Sequence, residues 1–201
     1  MSIMVPGTST PQTRDRLIAA MLDALRGRGY HGVGLSELLA SAGAPKGVLY
    51  HHFPGGKAEL AAAAVRVAIA NMLSSLDRLF EKHADPAVAL AAWMDGAQKQ
   101  LRSSAYERGC PLAAIALEST PDDVAIRSAL AEGFAAIRAR LAAALENHGV
   151  APAMASRIAM LILAAYEGAL LQARVAGRSD ALRDTSAALI ALIDAQPRNP
   201  R

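Results

Sequence analysis

Apolar residues recur at intervals of three and four along nearly the whole chain, and each run is closed by a glycine, a proline or a short polar cluster. Leu17, Ile18, Met21, Leu22 and Leu25 form the first stripe, the spacing of a helix with one face on a core. Thr10-Pro11 ahead of it reads as an N-cap and a first-turn proline. Leu35, Leu38 and Leu39 predict a short second helix with Gly34 at its N-cap, a weaker start than Ser, Thr or Asp would give. Ala42-Gly43 closes it, because glycine reaches the left-handed conformation without a Cβ clash. Pro45 then opens a third helix as its first residue, running to about His52 and too short to stand alone. Leu49 and Phe53, four apart, must anchor it.

A fourth helix, from about Gly56 to about His83, carries Val65, Ile69, Met72, Leu73, Leu76 and Phe80 on one face. A fifth opens at Asp85-Pro86 and ends near Tyr106, and Gly109-Cys110-Pro111 separates it from a short apolar sixth. Thr120-Pro121-Asp122-Asp123 starts a seventh, where a cap, a proline and two acids suit the positive end of the dipole. Ile126, Leu130, Phe134, Ile137, Leu141 and Leu145 stripe that helix until His148-Gly149. Pro152 begins an eighth, and a ninth covers Leu182 to Ile193. The pattern predicts an all-α chain of about nine helices. An N-terminal three-helix helix-turn-helix head spans residues 10–55 and a helical bundle spans 56–195, with a flexible arm over 1–9 and a tail over 196–201.

Composition agrees with this picture. Of 201 residues 53% are hydrophobic and only 4% aromatic, and the alanine content of nearly every segment favours helix. No run of eighteen uncharged apolar residues occurs, and Met1 to Pro11 lacks the basic start and apolar core of a signal peptide. A soluble cytoplasmic protein with no membrane role is expected. One cysteine excludes an intrachain disulfide and fits a reducing compartment. The net charge of +3 is mild; residues 1–60 hold six Lys/Arg against four Asp/Glu, and residues 61–201 fifteen against fourteen. Specific groove contacts and dimerisation must therefore supplement general phosphate attraction.

With Leu49 and Phe53 turned inward, Lys46, Val48, Tyr50 and His51 point outward. A cation, a β-branched residue, a phenol and an imidazole suit a major groove, through phosphate pairing, a thymine methyl and hydrogen bonds. A solvated helical hairpin explains the same residues about equally well, since two helices joined by a turn are common. The longer string AGAPKGVLYHHFPGGKAEL, with Gly29-Tyr30 ahead of it, shifts the balance. It resembles the DNA-binding region of the TetR family of transcriptional regulators over roughly residues 11 to 60. Gly34 departs from that pattern, where members often carry Thr, and offers no hydroxyl to phosphate. Pro54-Gly55-Gly56-Lys57 and Gly109-Cys110-Pro111-Leu112 are similar to the LmrA/YxaF-type subgroup. The resemblance implies a repressor of a palindromic double-stranded DNA operator, with Ser36, Lys46, Gly47, Val48, Tyr50, His51 and Lys57 facing DNA.

The eighth helix is apolar on almost every face from Ile158 to Leu171, interrupted chiefly by Glu167. A helix buried all round needs partners on both sides, and a second copy supplies the missing one, so a homodimer is expected through Leu161, Leu170, Leu189 and Ile193. The resemblance further implies a small-molecule inducer in the bundle, for which Trp93, Met94, Tyr106, Cys110, Ile115, Phe134, Ile137, Met160 and Tyr166 are the candidate lining. For each of these alone, core packing is the more common role. Glu118 and Glu167 are carboxylates in apolar helices that need partners, and they point to an apolar or aromatic ligand bearing a cation. The fourth helix, continuous from Lys57 beside the DNA to Phe80 beside the cavity, would carry the signal.

Two rival classes remain. Cys110 at a helix N-terminus would have a lowered thiol pKa and act in a redox-sensing regulator. A small helical enzyme would need a histidine base for that thiolate, and no spacing identifies one. His51 and His52 are adjacent and splay apart, so no metal is expected, nor any other cofactor.

Overall fold

The computed structural model describes residues 10–197, and over them the chain is all-α, with no strand. The helices are α1 (Thr10–Gly27), α2 (Leu35–Ser41), α3 (Lys46–His52), α4 (Gly56–Lys82), α5 (Pro86–Ser103), α6 (Pro111–Glu118), α7 (Val124–Asn147), α8 (Pro152–Ala176) and α9 (Asp180–Asp194). The arm expected over residues 1–9 and the end of the tail, residues 198–201, lie outside the described residues.

Local chemistry sets most helix ends. Gly34 caps α2 with extended dihedrals and no side-chain bond, and Gly43 takes φ +57 just past its end. Asp85 caps α5 by accepting from the Ala87 amide at 2.9 Å, with Pro86 in the first turn. Gly177 ends α8 in the left-handed conformation at φ +63.

Thr10 lies within α1 instead of capping it, α9 opens at Asp180 instead of Leu182, and three other boundaries differ from the sequence pattern. Pro45 is the N-cap of α3 rather than its first residue: its ψ of 151° is extended, while its carbonyl already accepts from the Val48 amide at 3.0 Å. Thr120 to Asp123 form a turn ahead of α7 and not its first residues. There the Asp123 carboxylate accepts from the amide and hydroxyl of Thr120 at 2.8 and 2.9 Å, and these bonds hold that carboxyl below its usual pKa. Finally, α5 stops at Ser103, because Ala105 and Tyr106 take φ +50 and +64. That conformation costs an L residue about 1–2 kcal/mol. The Tyr106 amide bonds back to the Leu101 carbonyl at 2.8 Å and its hydroxyl meets Ser179 Oγ at 2.8 Å, which hold the turn.

The long α4 is the axis of the molecule. Its 27 residues span about 40 Å at 1.5 Å per residue, and it packs against α1, α5, α6 and α7. The buried run Ala61 to Ala64 keeps neighbouring backbones close. At Gly133 on α7 a Cβ would overlap the Ile69 side chain of α4, so a larger residue there would have to displace Ile69. By length and composition α4 and α8 would also pass for membrane spans, with mean hydropathy 1.3 and 1.5. Each instead packs against several helices, α8 lying on α7, α9 and α5.

Candidate functional site

α2 and α3 cross over α1, with Leu38, Leu39, Leu49 and Phe53 buried beneath them. This burial turns the rest of α3 outward. Lys46, Gly47, Tyr50 and His51 are exposed, Ser36 is exposed on α2, and Val48 is half-buried. A Cβ added at Gly47 would meet nothing within 4 Å, so the protein's own packing does not demand glycine there. A bare backbone at that point leaves room for close approach by a partner.

Lys57 does not belong to this face. Its Nζ donates to the carbonyls of Tyr30 and Val33 at 2.6 and 2.7 Å and lies 4.5 Å from the Tyr30 ring centroid. It ties the start of α4 to the α1–α2 loop, and burial there draws its pKa down against the opposing charge of Glu118. Where a phosphate contact was expected, Nζ is held here by an internal tether. Glu59 supports the same end by accepting from the Gly55 amide at 2.7 Å.

Between α1, α4, α5, α6 and α8 lies a half-open cavity of about 460 Å³, within the range of small-molecule sites. Trp93, Cys110 and Tyr166 line it as expected, with Trp93 stacked on Tyr166 at 4.0 Å between centroids. Met72 and Leu79 of α4, Leu112 of α6 and Leu170 of α8 supply further apolar wall.

Several expected lining residues lie elsewhere. Met94, Ile115 and Ile137 are fully buried in the core away from the cavity, and Phe134 packs partly buried against that core. Met160 faces outward, 53% exposed. Tyr106 is occupied by Ser179. Glu118 points to the head: its carboxylate accepts from the His31 amide at 2.6 Å, and it fills the space where a Cβ on Gly29, at φ +79, would sit. Its partner is a backbone donor, which removes half of the argument for a cationic ligand.

Glu167 accepts from the Cys110 thiol at 3.2 Å, and its second oxygen is buried without a partner. Burial raises this carboxyl above its usual value. Burial, followed by the Glu167 charge, also pushes the Cys110 thiol well up. The helix terminus was expected to lower that pKa; desolvation overrides it, and a reactive thiolate is disfavoured.

The expected dimer residues divide in the same way. Leu161 is 48% exposed, whereas Leu170, Leu189 and Ile193 are buried within the protomer. Their neighbours carry the outward face: Met160, Leu171 and Val175 on α8 are exposed, beside exposed Ala187, Ala188 and Ala191 on α9. The sequence reading also missed Arg26, Asn71 and Arg108, which line the cavity. Arg26 in the last turn of a helix reads as a dipole partner, and no spacing distinguishes it.

Comparison with known proteins matches this architecture. Residues 17–64 fit the description "Bacterial regulatory proteins, tetR family", and residues 86–188 fit "Transcriptional regulator LmrA/YxaF-like, C-terminal domain". A helix-turn-helix-type transcriptional regulator of Mycobacterium tuberculosis is 31% identical, covering 81% of this chain and 84% of its own. The regulator LmrA of Bacillus subtilis is 27% identical, covering 88% and 94%. The crystal structure of a regulatory protein TetR from Rhodobacter sphaeroides superposes with a TM-score of 0.79 at 27% identity, covering 89% of this chain and 97% of that one. With its helix-turn-helix head and a C-terminal bundle of the LmrA/YxaF type, the chain belongs to the TetR family of bacterial transcriptional regulators.

Proposed function

We propose that the protein is a homodimeric repressor that binds a palindromic operator and is released from it by a small molecule with a largely apolar body. The observation that carries this reading is where the cavity lies. A molecule inside it touches α4, whose N-terminus follows α3 across a short Pro54-Gly55 link, and the N-terminal end of α6, whose other end holds the head through Glu118 and His31. An occupant favouring one placement of these helices over another shifts the position of α3; one that binds both placements equally shifts nothing.

The second copy supplies symmetry. The outward faces of α8 and α9 expose Ala187, Ala188 and Ala191 together with Met160, Leu161, Leu171 and Val175, large apolar side chains of the kind that a second copy would cover. Two α3 helices related by that two-fold would enter successive major grooves about 34–36 Å apart. Lys46, Tyr50 and His51 would position and read the DNA, with Gly47 and Val48 at the closest approach.

The test is selection of DNA from a random pool by purified protein, followed by anisotropy titrations on the selected site. Two half-sites separated by about one helical turn are expected. Compounds that quench Trp93 should weaken operator binding, and operator should weaken theirs by the same factor, about 5- to 150-fold. A protein that selects no sequence, or whose Trp93-quenching compounds leave operator affinity untouched, would contradict the reading.

A further inference from the structure

The apolar lining of the cavity contains one uncommitted charge. Arg26, in the last turn of α1, lines the cavity, and its Nε is buried with no hydrogen-bond partner. Its guanidinium takes no carboxylate among the described residues. The nearby arginines are occupied: Arg108 pairs with Asp23 at 2.8 Å, and Arg174 donates to the Gly27 carbonyl at 3.0 Å. Buried donors are rarely left without an acceptor in native interiors, and an exception marks a place for a water, an ion or a ligand.

Among the described residues near the cavity wall, Asp23 is taken by Arg108 and Glu167 does not fill that place either. Glu167 receives the Cys110 thiol and is driven by burial toward its neutral form. Glu118 is turned to the head. The cavity therefore presents a positive pole at its α1 side, and elsewhere apolar side chains interrupted by Asn71, Ser75 and Gln100.

We propose that the effector is an organic monocarboxylate, whose carboxylate takes Arg26 and whose apolar body lies along Met72, Trp93, Leu112 and Leu170. This rests on the effector-cavity reading above and names the class of molecule. One free guanidinium fits one carboxylate, since the planar fork meets two oxygens in parallel. A cation would face Arg26 unscreened. Because Arg26 belongs to α1, on which α2 and α3 pack, the same bond joins effector directly to the head. It supplies the differential contact that release from DNA requires.

Trp93 emission would be titrated with acid and amide pairs of one shape: benzoate and benzamide, cinnamate and cinnamamide, hexanoate and hexanamide. Where a pair binds, the acid should bind roughly tenfold or more tightly, the difference a charged hydrogen bond makes. Arg26→Gln should erase that preference and Arg26→Lys should keep part of it, with melting curves checking that each variant folds. Should Arg26→Gln fail to fold, the acid–amide comparison on the parent and on Arg26→Lys still decides. Amides that bind as well as their acids would overturn the monocarboxylate proposal and leave the cavity reading intact. If neither series alters Trp93 emission or operator binding, both readings fall.

Discussion

Gly29 and Glu118 should behave as one unit, and a double-mutant cycle measures it. The Glu118 carboxylate accepts from the His31 amide and occupies the volume of a Gly29 Cβ. Gly29→Ala therefore acts twice: it places an L residue at φ +79, costing about 1–2 kcal/mol, and it expels the carboxylate. A charge-assisted bond of this kind is worth about 1.5–3 kcal/mol when buried, and this one is partly open to water, so about 1 kcal/mol is a fair value. Gly29→Ala should cost about 2–3 kcal/mol in the parent but only about 1–2 kcal/mol in Glu118→Ala, where nothing is left to expel. The coupling between the two sites is then about 1 kcal/mol. Denaturant melts at one fixed protein concentration would measure it, since dimer dissociation makes stability concentration-dependent. In both single variants the Glu118 carboxylate no longer ties α6 to the His31 amide, so effector-driven release of DNA should also shrink. Losses that add within about 0.3–0.5 kcal/mol would refute the latch.

The sequence resolved what depends on period and capping, and failed where several faces of one helix compete. α1, α4 and α7 follow their stripes because each has one apolar face. Trp93, Cys110 and Tyr166 do line the cavity, while Met94, the next residue after Trp93, and Ile115 and Ile137 turn into the core. Periodicity fixes which face is apolar but not which neighbour it meets. On α8, apolar nearly all round, Leu170 is buried and Leu171 is 55% exposed, and only the positions of α7 and α9 separate them. For Glu118 the need for a partner was read correctly; the partner is a backbone N–H 87 residues away in sequence, which no local pattern contains. Lys57 shows the converse. A lysine after a helix-turn-helix reads as a phosphate contact, but two free carbonyls in the α1–α2 loop claim it first.

Three further expectations follow from the same geometry. Leu161→Asp and Leu171→Asp should give monomers by light scattering with helical content retained, because both side chains are exposed in the protomer; Leu189→Ala should instead cost about 2–5 kcal/mol as a core cavity, and a dimeric Leu161→Asp/Leu171→Asp variant would dismiss the α8 face. Lys46→Ala should lower operator affinity and reduce the salt slope by about one, whereas Lys57→Gln should lower the melting temperature through its lost carbonyl bonds and leave that slope alone; the reverse pattern would return Lys57 to the DNA. The last concerns Glu167, whose carboxyl is raised by burial and so keeps its proton to higher pH in the folded state than in the unfolded chain. Between the ordinary value and the raised one the folded state binds more protons, so this group's contribution to stability falls as pH rises through that window. Glu167→Gln still accepts from the Cys110 thiol but cannot ionise. It should match the parent near about pH 4 and melt at higher temperature near about pH 8, and a parent that keeps pace with the variant across that range would show that the buried oxygen is solvated or paired after all.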